Sequence, residues 1–171
     1  MDALSAKGAV ALEYAAQGFA VFPVFEMGPG GACACGRPDC SSPGKHPRVS
    51  RGLKEASKDP EVVRSWWTQW PEANIGIATG SPSGIFVMDV DIKNNGHHEL
   101  ARLIEEHGAI PDTRICQTGG GGFHVYFRLP PGQRIPNSAG KIAPGIDVRG
   151  DGGYVVAPPS NHYSGGCYEW N

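Results

Sequence analysis

Apolar and polar positions alternate most sharply between Gly84 and Ile92, where the run Gly-Ile-Phe-Val-Met-Asp-Val-Asp-Ile has strand periodicity. A strand there puts Val87, Asp89 and Asp91 on one face and Phe86, Met88, Val90 and Ile92 on the other. The second face is the expected core. The first carries two carboxylates whose α-carbons stand about 7 Å apart, close enough to share divalent cations. Asp91 also suits a plainer role, opening the Lys93-Asn94-Asn95-Gly96 turn. Asp89 does not, because an acid among Val87, Met88 and Val90 is desolvated at a cost unless a cation or donor offsets it.

The same reading supplies the other elements. Ser5 to Gln17 has helix-forming composition, with Ser5 as N-cap and Gly18 as stop, and Phe19 to Phe25 reads as a short strand. Asp59-Pro60 opens a second helix in which Val63, Trp66, Trp67 and Trp70 share one stripe before Pro71 ends it, so the tryptophans are expected in the core in preference to stacking on bases. Ile75 to Thr79 and Ile85 to Asp91, separated by Gly80-Ser81-Pro82-Ser83-Gly84, read as a hairpin. His97 to His107 is an amphipathic helix with Leu100, Leu103 and Ile104 inward and its histidines exposed. Thr113 to Thr118 and Phe123 to Leu129 flank four glycines. Ile146 to Arg149 and Tyr154 to Ala157 read as a final strand pair. Mixed helices and hairpins favour an α+β fold over a doubly wound parallel sheet.

With 171 residues the chain has room for one sizeable core and a small satellite module. Gly 25 and Pro 15 imply extensive turns, and residues 26 to 58, which lack periodicity, are too long for an idle loop. The formal charge of -2 argues against a uniformly basic nucleic-acid binder. Distribution modifies that: Arg37 to Arg64 holds seven Lys or Arg against four acids, and Arg114 to Arg149 five against one, so a local positive groove is compatible with the total. The run from Gly8 to Phe22 is interrupted by Glu13 and Gln17 and lacks a basic leader, which fits neither a signal peptide nor a membrane span. Five cysteines, three of them between Cys33 and Cys40, suit a metal site in a reducing compartment better than a disulfide framework, and a cytoplasmic location is expected. Cys33-x-Cys35-x4-Cys40-x5-His46 offers three thiolates and an imidazole in a tight loop, the donor set of a structural Zn2+. Such a zinc would organise a loop (about 28 to 58) bearing Lys45, Arg48 and Arg51 as candidate contacts to a DNA backbone. Cys116 and Cys167 are assigned to packing.

Around the glycines, His124 falls on the polar face of its strand with Tyr126 and Arg128. Gly119 to Gly122, Gly121 and Gly122 nearest the histidine, let a phosphate or base approach the main chain and expose N–H donors, although a mobile hairpin loop also fits. The spacing is neither a dinucleotide fingerprint nor a Walker loop. Asp147 and Arg149 share a face of the next strand, alone no more than an ion pair. Together, Asp89, Asp91 and Asp147 suit cations while His124 and Arg149 supply donors for a polyphosphate.

The order Asp-x-Asp in a strand, a Gly-rich turn leading to His before an apolar strand, then Ile-Asp-Val-Arg-Gly followed by Gly-Tyr-Val-Val-Ala-Pro-Pro-Ser, resembles the archaeo-eukaryotic primase superfamily. More narrowly it resembles the bifunctional primase-polymerase (Prim-Pol) domains of phages, plasmids and bacterial mobile elements, over nearly the whole chain. The resemblance implies a primase-polymerase fold: an N-terminal α/β unit packed on an RRM-like palm, with a small zinc-binding loop. It implies template-directed nucleotidyl transfer, with Asp89, Asp91 and Asp147 on two Mg2+ or Mn2+ ions. His124 matches the histidine that contacts the triphosphate, Lys141 and Arg149 match phosphate-side basic residues, and Gly122 stands where the motif usually carries Ser. Expected partners are a single-stranded DNA template, a primer, dNTP or NTP, and a fused or associated helicase, with no membrane. The chain stops at Tyr168-Glu169-Trp170-Asn171 as if cut from a longer replication protein. Two rival readings are a metal-dependent nuclease or phosphohydrolase and a non-catalytic zinc-bearing nucleic-acid binding module. The His124 and Arg149 pair, suited to a triphosphate more than to water activation, disfavours the first. Carboxylates at all three positions disfavour the second.

Overall fold

The computed structural model describes residues 4–171. Two antiparallel sheets organise the chain. The smaller has the order β1-β2-β8, with β1 at Val21–Val24, β2 at Asn74–Ala78 and β8 at Tyr154–Ala157. The larger has the order β6-β7-β3-β5-β4-β9, formed by β3 (Ile85–Val90), β4 (Ile115–Gln117), β5 (Phe123–Arg128), β6 (Ser138–Ala143), β7 (Ile146–Arg149) and β9 (Glu169–Trp170). Helices α1 (Ala6–Ala16) and α2 (Pro60–Gln69) pack on the small sheet, and α3 (Gly96–His107) packs on β3 and β7.

The helix ends follow their sequence signals. The Ser5 side chain accepts from Gly8 N at 3.1 Å, and Asp59 accepts from Glu61 N at 2.9 Å ahead of Pro60. Gly8 lies where an added β-carbon would stand 2.8 Å from Trp67 Cβ, so its bare α-carbon lets α1 and α2 approach closely. Trp67 is buried, with its indole N–H donating to Ala73 O at 3.1 Å, while Trp66 and Trp70 are half-buried against the same core.

That core is larger than the periodicity of β3 suggested. Phe22, Ile75, Ile77 and Trp67 join Ile85, Val87, Cys116, Tyr126 and Tyr168 in one cluster between the sheets. Val90, Leu100, Ala143 and Ile146 form a second cluster under α3, with Met88, Leu103, Ile104 and Phe123 against it. Both faces of β3 are therefore buried along part of its length. Val87, expected on the polar face, is fully enclosed; Phe86, expected in the core, is half-buried and stacks on Phe127 at 5.1 Å. Ile92 lies beyond the end of β3 and is exposed.

Two expected strand pairs are instead crossings from one sheet to the other. β2 pairs with β1 and β8, whereas β3 pairs with β5 and β7, so residues 75–79 and 85–91 do not make a hairpin; β7 and β8 part in the same way. The reason lies at the crossing. Asp151 Oδ1 accepts from both Ser81 N and Ser81 Oγ at 2.9 Å, and Thr79 Oγ1 donates to Gly150 O at 2.7 Å, so the two connections are riveted together. Gly80, at φ +78, leaves no room for a β-carbon there, which would stand 2.5 Å from the Asp151 carboxylate. The glycine-flanking strands β4 and β5 do form a hairpin, closed by Thr118 N donating to Gly122 O at 2.8 Å. Cys116 is buried as expected, but Cys167, which makes an isolated bridge with Asn161 just before β9, is exposed. Among the described residues no helix is long and apolar enough to cross a membrane.

Candidate active site

Register across the large sheet lines up the chemistry. Asp89 of β3 stands directly opposite Asp147 of β7 on one side and His124 of β5 on the other, so the three project as a row from one face. Two residues along, Arg149 stands opposite Val87 and leans back over the row. Its Nη2 donates to Asp89 Oδ2 at 3.2 Å and to Asp147 Oδ2 at 2.9 Å. His124 Nε2 lies 3.5 Å from Asp89 Oδ1, and Gly140 N donates to Asp147 Oδ1 at 2.9 Å. Burial pushes the Asp89 carboxyl up, but His124 and Arg149 together outweigh it and hold Asp89 below its ordinary range. Asp89 is therefore ionised at neutral pH. The His124 ring is buried, and its Nδ1 has no partner among the described residues, which leaves Nε2 as the nitrogen engaged with the acids.

The row opens into a cavity of about 320 Å3 whose lining includes Asp89, Asp91, Asp147, His124, Arg149 and Lys45. A second lobe of about 270 Å3 lies towards Tyr154 and β8 and shares Asp89, His124, Arg149 and Lys45 with the first. Asp91 reaches the wall from just beyond β3, and both of its oxygens serve the following turn: Lys93 N donates to Oδ1 at 2.9 Å and Asn94 Nδ2 to Oδ2 at 2.6 Å. The carboxylates of Asp89, Asp91 and Asp147 thus line one cavity without converging on one point.

The glycine turn closes one wall. Gly120 and Gly122 line the cavity, whereas Gly121, at φ +90, is exposed outside it. A β-carbon at Gly122 would meet Val90 O at 2.4 Å, so the backbone there is pressed onto β3 with no space for a serine. A β-carbon at Gly119 would collide with His162 at 2.3 Å.

That histidine belongs to a wall the sequence reading missed. After β8 the chain turns back through Ser160, whose Oγ accepts from Ile75 N at 2.9 Å, and delivers His162 and Tyr163 to the cavity. His162 is buried with Nδ1 2.9 Å from Ser164 Oγ, and burial, with Lys45 and Lys93 nearby, lowers it to about 4. Tyr163 is exposed and accepts from Lys93 Nζ at 2.9 Å, with Lys45 Nζ 5.3 Å above its ring. The available signal was a His-Tyr pair in a Ser- and Gly-rich segment, which carries no periodicity.

Other candidate residues lie elsewhere. Lys141 is exposed on β6 and does not line the cavity. The Arg48 guanidinium pairs with Glu26 at 2.6 Å and stacks over Phe25 and Trp70 at 4.8 and 5.2 Å, so it is spent within the protein. Arg51 is exposed, 3.8 Å from Glu55.

Cys33, Cys35, Cys40 and His46 do converge. Their ligand atoms all lie within 4.8 Å of one another, and among the described residues no other group of three or more His, Cys, Asp or Glu side chains meets that condition. His46 Nε2 is 3.5 Å from both Cys33 Sγ and Cys40 Sγ, and burial holds this imidazole below its ordinary value, so it is neutral and able to ligate. The four residues form a possible metal-binding cluster.

A family model described as "Bifunctional DNA primase/polymerase, N-terminal" matches residues 11–171. The chain belongs to the Prim-Pol family. Membership supports primase and polymerase nucleotidyl transfer as the class of chemistry, with nucleic acid and nucleotides as substrates. No curated protein matches this Prim-Pol chain.

Proposed function

We propose that this domain is the catalytic part of a DNA primase and polymerase that extends a primer along a single-stranded DNA template, and that residues 1–171 are one piece of a longer replication protein with a fused or associated helicase. One observation carries the reading: Asp147, Asp89 and His124 stand in register on adjacent strands under Arg149, at the floor of a cavity walled by the glycine turn. In a Prim-Pol chain that row suits a triphosphate and its cations.

The donor set is hard oxygen, which fits Mg2+ or Mn2+. Asp89 and Asp147 would hold one cation, and Asp91, whose oxygens each keep a lone pair beyond the turn, would contribute to a second. Bound there, the cations supply the charge that activates the primer 3'-hydroxyl and neutralises the triphosphate and the departing pyrophosphate. The chain's own residues prepare the site. Asp89 is kept ionised, and Asp147 is oriented by Gly140 N. Arg149 uses only Nη2 on the acids, leaving its remaining N–H donors for phosphate oxygens. His124 Nε2 is held beside Asp89 as a further donor. The Cys33, Cys35, Cys40 and His46 set suits a structural zinc, which would hold the loop in residues 28–58 closed.

Titration with a non-hydrolysable nucleoside triphosphate, then with single-stranded DNA, tests this. His124→Ala and Arg149→Ala should each weaken triphosphate binding by about 1–3 kcal/mol, with DNA affinity almost unchanged. Equal losses for both ligands, or no triphosphate binding by the wild type, would contradict it.

A further inference from the structure

We infer that Lys45 is a phosphate-binding residue of the catalytic cavity, aimed there by the metal-binding loop, so that the metal of that loop and the triphosphate strengthen each other's binding. The inference rests on the nucleotidyl-transfer reading and adds to it a residue from outside the large sheet.

Lys45 lies between Gly44 and the ligand His46, and its main chain is fixed from several sides. Gly44 N lies 3.5 Å from Cys33 Sγ, and Gly44 O accepts from Asn74 Nδ2 at 3.0 Å. Lys45 O accepts from Tyr154 OH at 2.9 Å, and His46 O accepts from Phe25 N at 2.9 Å. The peptide therefore spans from the metal cluster to the small sheet, and its side chain is directed away from the cluster into both lobes of the cavity.

Three neighbouring basic side chains are engaged. Arg48 holds Glu26, Lys7 donates to Glu72 O and Asn74 Oδ1, and Lys93 donates to Tyr163. Among the described residues the Lys45 ammonium has neither a carboxylate nor a hydrogen-bond acceptor. It lies over the Tyr163 ring in a cavity whose remaining cations, Arg149 and Lys93, flank the same space. A half-buried lysine whose ammonium has no partner favours an anion that enters the cavity. The side chain lines both lobes of the cavity, a position that favours this role over the contact to a DNA backbone expected from the sequence.

The loop is also fastened to the opposite wall. The Asn161 side chain accepts from Met27 N at 2.9 Å and donates to Met27 O at 2.8 Å, and the next two residues are His162 and Tyr163. A ligand that orders Lys45 and this wall favours the loop conformation that gathers the cysteines. Reciprocity then requires the metal to favour the ligand by the same factor.

The test uses zinc-loaded protein, a non-hydrolysable deoxynucleoside triphosphate and Lys45→Met, which keeps the stem over Tyr163 and removes the charge. Triphosphate binding should weaken about tenfold, with zinc content and melting temperature unchanged, recovery in Lys45→Arg, and no change in binding of the nucleoside. In the wild type, which needs no variant, the triphosphate should raise the chelator concentration required to remove half the zinc; in Lys45→Met that protection should vanish. Equal triphosphate affinity in wild type and Lys45→Met overturns the assignment, as does a loss confined to single-stranded DNA. Zinc retention that ignores the triphosphate in the wild type overturns the coupling. Failure of the wild type to bind triphosphate at all rejects the nucleotidyl-transfer reading beneath it.

Discussion

Arg149→Met removes the guanidinium that neutralises two acids while keeping an apolar stem in its place. Arg149 makes two charge-assisted hydrogen bonds, at 3.2 Å to Asp89 and 2.9 Å to Asp147. At about 1.5–3 kcal/mol each, these would sum to several kcal/mol in a sealed interior. The side chains are 31%, 26% and 30% exposed, however, so solvent screening reduces the loss to about 1–2 kcal/mol. For a domain of this size that lowers the melting temperature by about 2–8 °C. The pH dependence fixes the cause. Asp89 is held below its ordinary 3.8, so it contributes stability that is present above that pH and lost as pH falls through the folded-state value. Without Arg149 the Asp89 carboxyl moves up and that contribution shrinks. The gap between wild type and variant should be widest at neutral pH and close in acid. Added Mn2+ should raise the melting temperature of Arg149→Met more than that of the wild type, because the cation meets carboxylates that lack their counter-charge. Thermal melts across pH, with and without Mn2+, provide the assay. Equal melting temperatures at neutral pH, or a larger Mn2+ effect on the wild type, would refute the reasoning.

Purified protein should contain about one zinc per chain by elemental analysis, and Cys33→Ser or a strong chelator should lower both zinc content and melting temperature; metal-replete protein without zinc contradicts the assignment of Cys33, Cys35, Cys40 and His46. Gly122→Ala should cost about 1–3 kcal/mol in denaturant unfolding, because its β-carbon would stand 2.4 Å from Val90 O and push the turn off β3; unchanged stability would show that the turn relaxes freely. His162, lowered to about 4 from an ordinary 6.5, should stay neutral by NMR until about pH 4. The unfolded chain takes up this proton first as pH falls, so stability should decline from about pH 6.5 to 4 more steeply in the wild type than in His162→Gln. A parallel decline would show no linkage.

How much of this was legible in the sequence depends on whether a local rule decided the position. Helix ends at Ser5 and Asp59-Pro60 were legible because capping is local chemistry. Period-two alternation correctly puts His124 on one face with Tyr126, but that face is not uniformly polar: Tyr126 is enclosed in the core between the sheets, and His124 lines the cavity beside it. Sheet membership was not legible. Gly80 to Gly84 has hairpin composition, yet the turn carries the chain from one sheet to the other, and the residue that fixes it, Asp151, lies 70 positions from Ser81. β6 and β9 went unread because Ser138–Ala143 is mostly polar or small and Glu169–Trp170 is too short to show a period. At the candidate site, the shared face of Asp89, His124 and Asp147 was legible because they sit in regular strands. His162 and Tyr163 were not, because an irregular segment positions them through hydrogen bonds from Ser164 and Asn161. Arg48 looked like a surface cation by composition, and only the fold brings Glu26, Phe25 and Trp70 around it.

The row of Asp147, Asp89 and His124 is proposed to support nucleotide addition. The most direct measurement is labelled-nucleotide incorporation on a primed single-stranded template, in Mg2+ and in Mn2+, by the wild type and Asp89→Asn at matched folding. Asp89→Asn keeps the side chain's shape and removes the charge that His124 and Arg149 hold in place. The expected result is template-dependent extension by the wild type and loss of at least about a hundredfold in Asp89→Asn, the scale of removing a principal electrostatic contact in a transition state. Near-normal extension by Asp89→Asn, or degradation of the primer in place of its growth, would contradict the account.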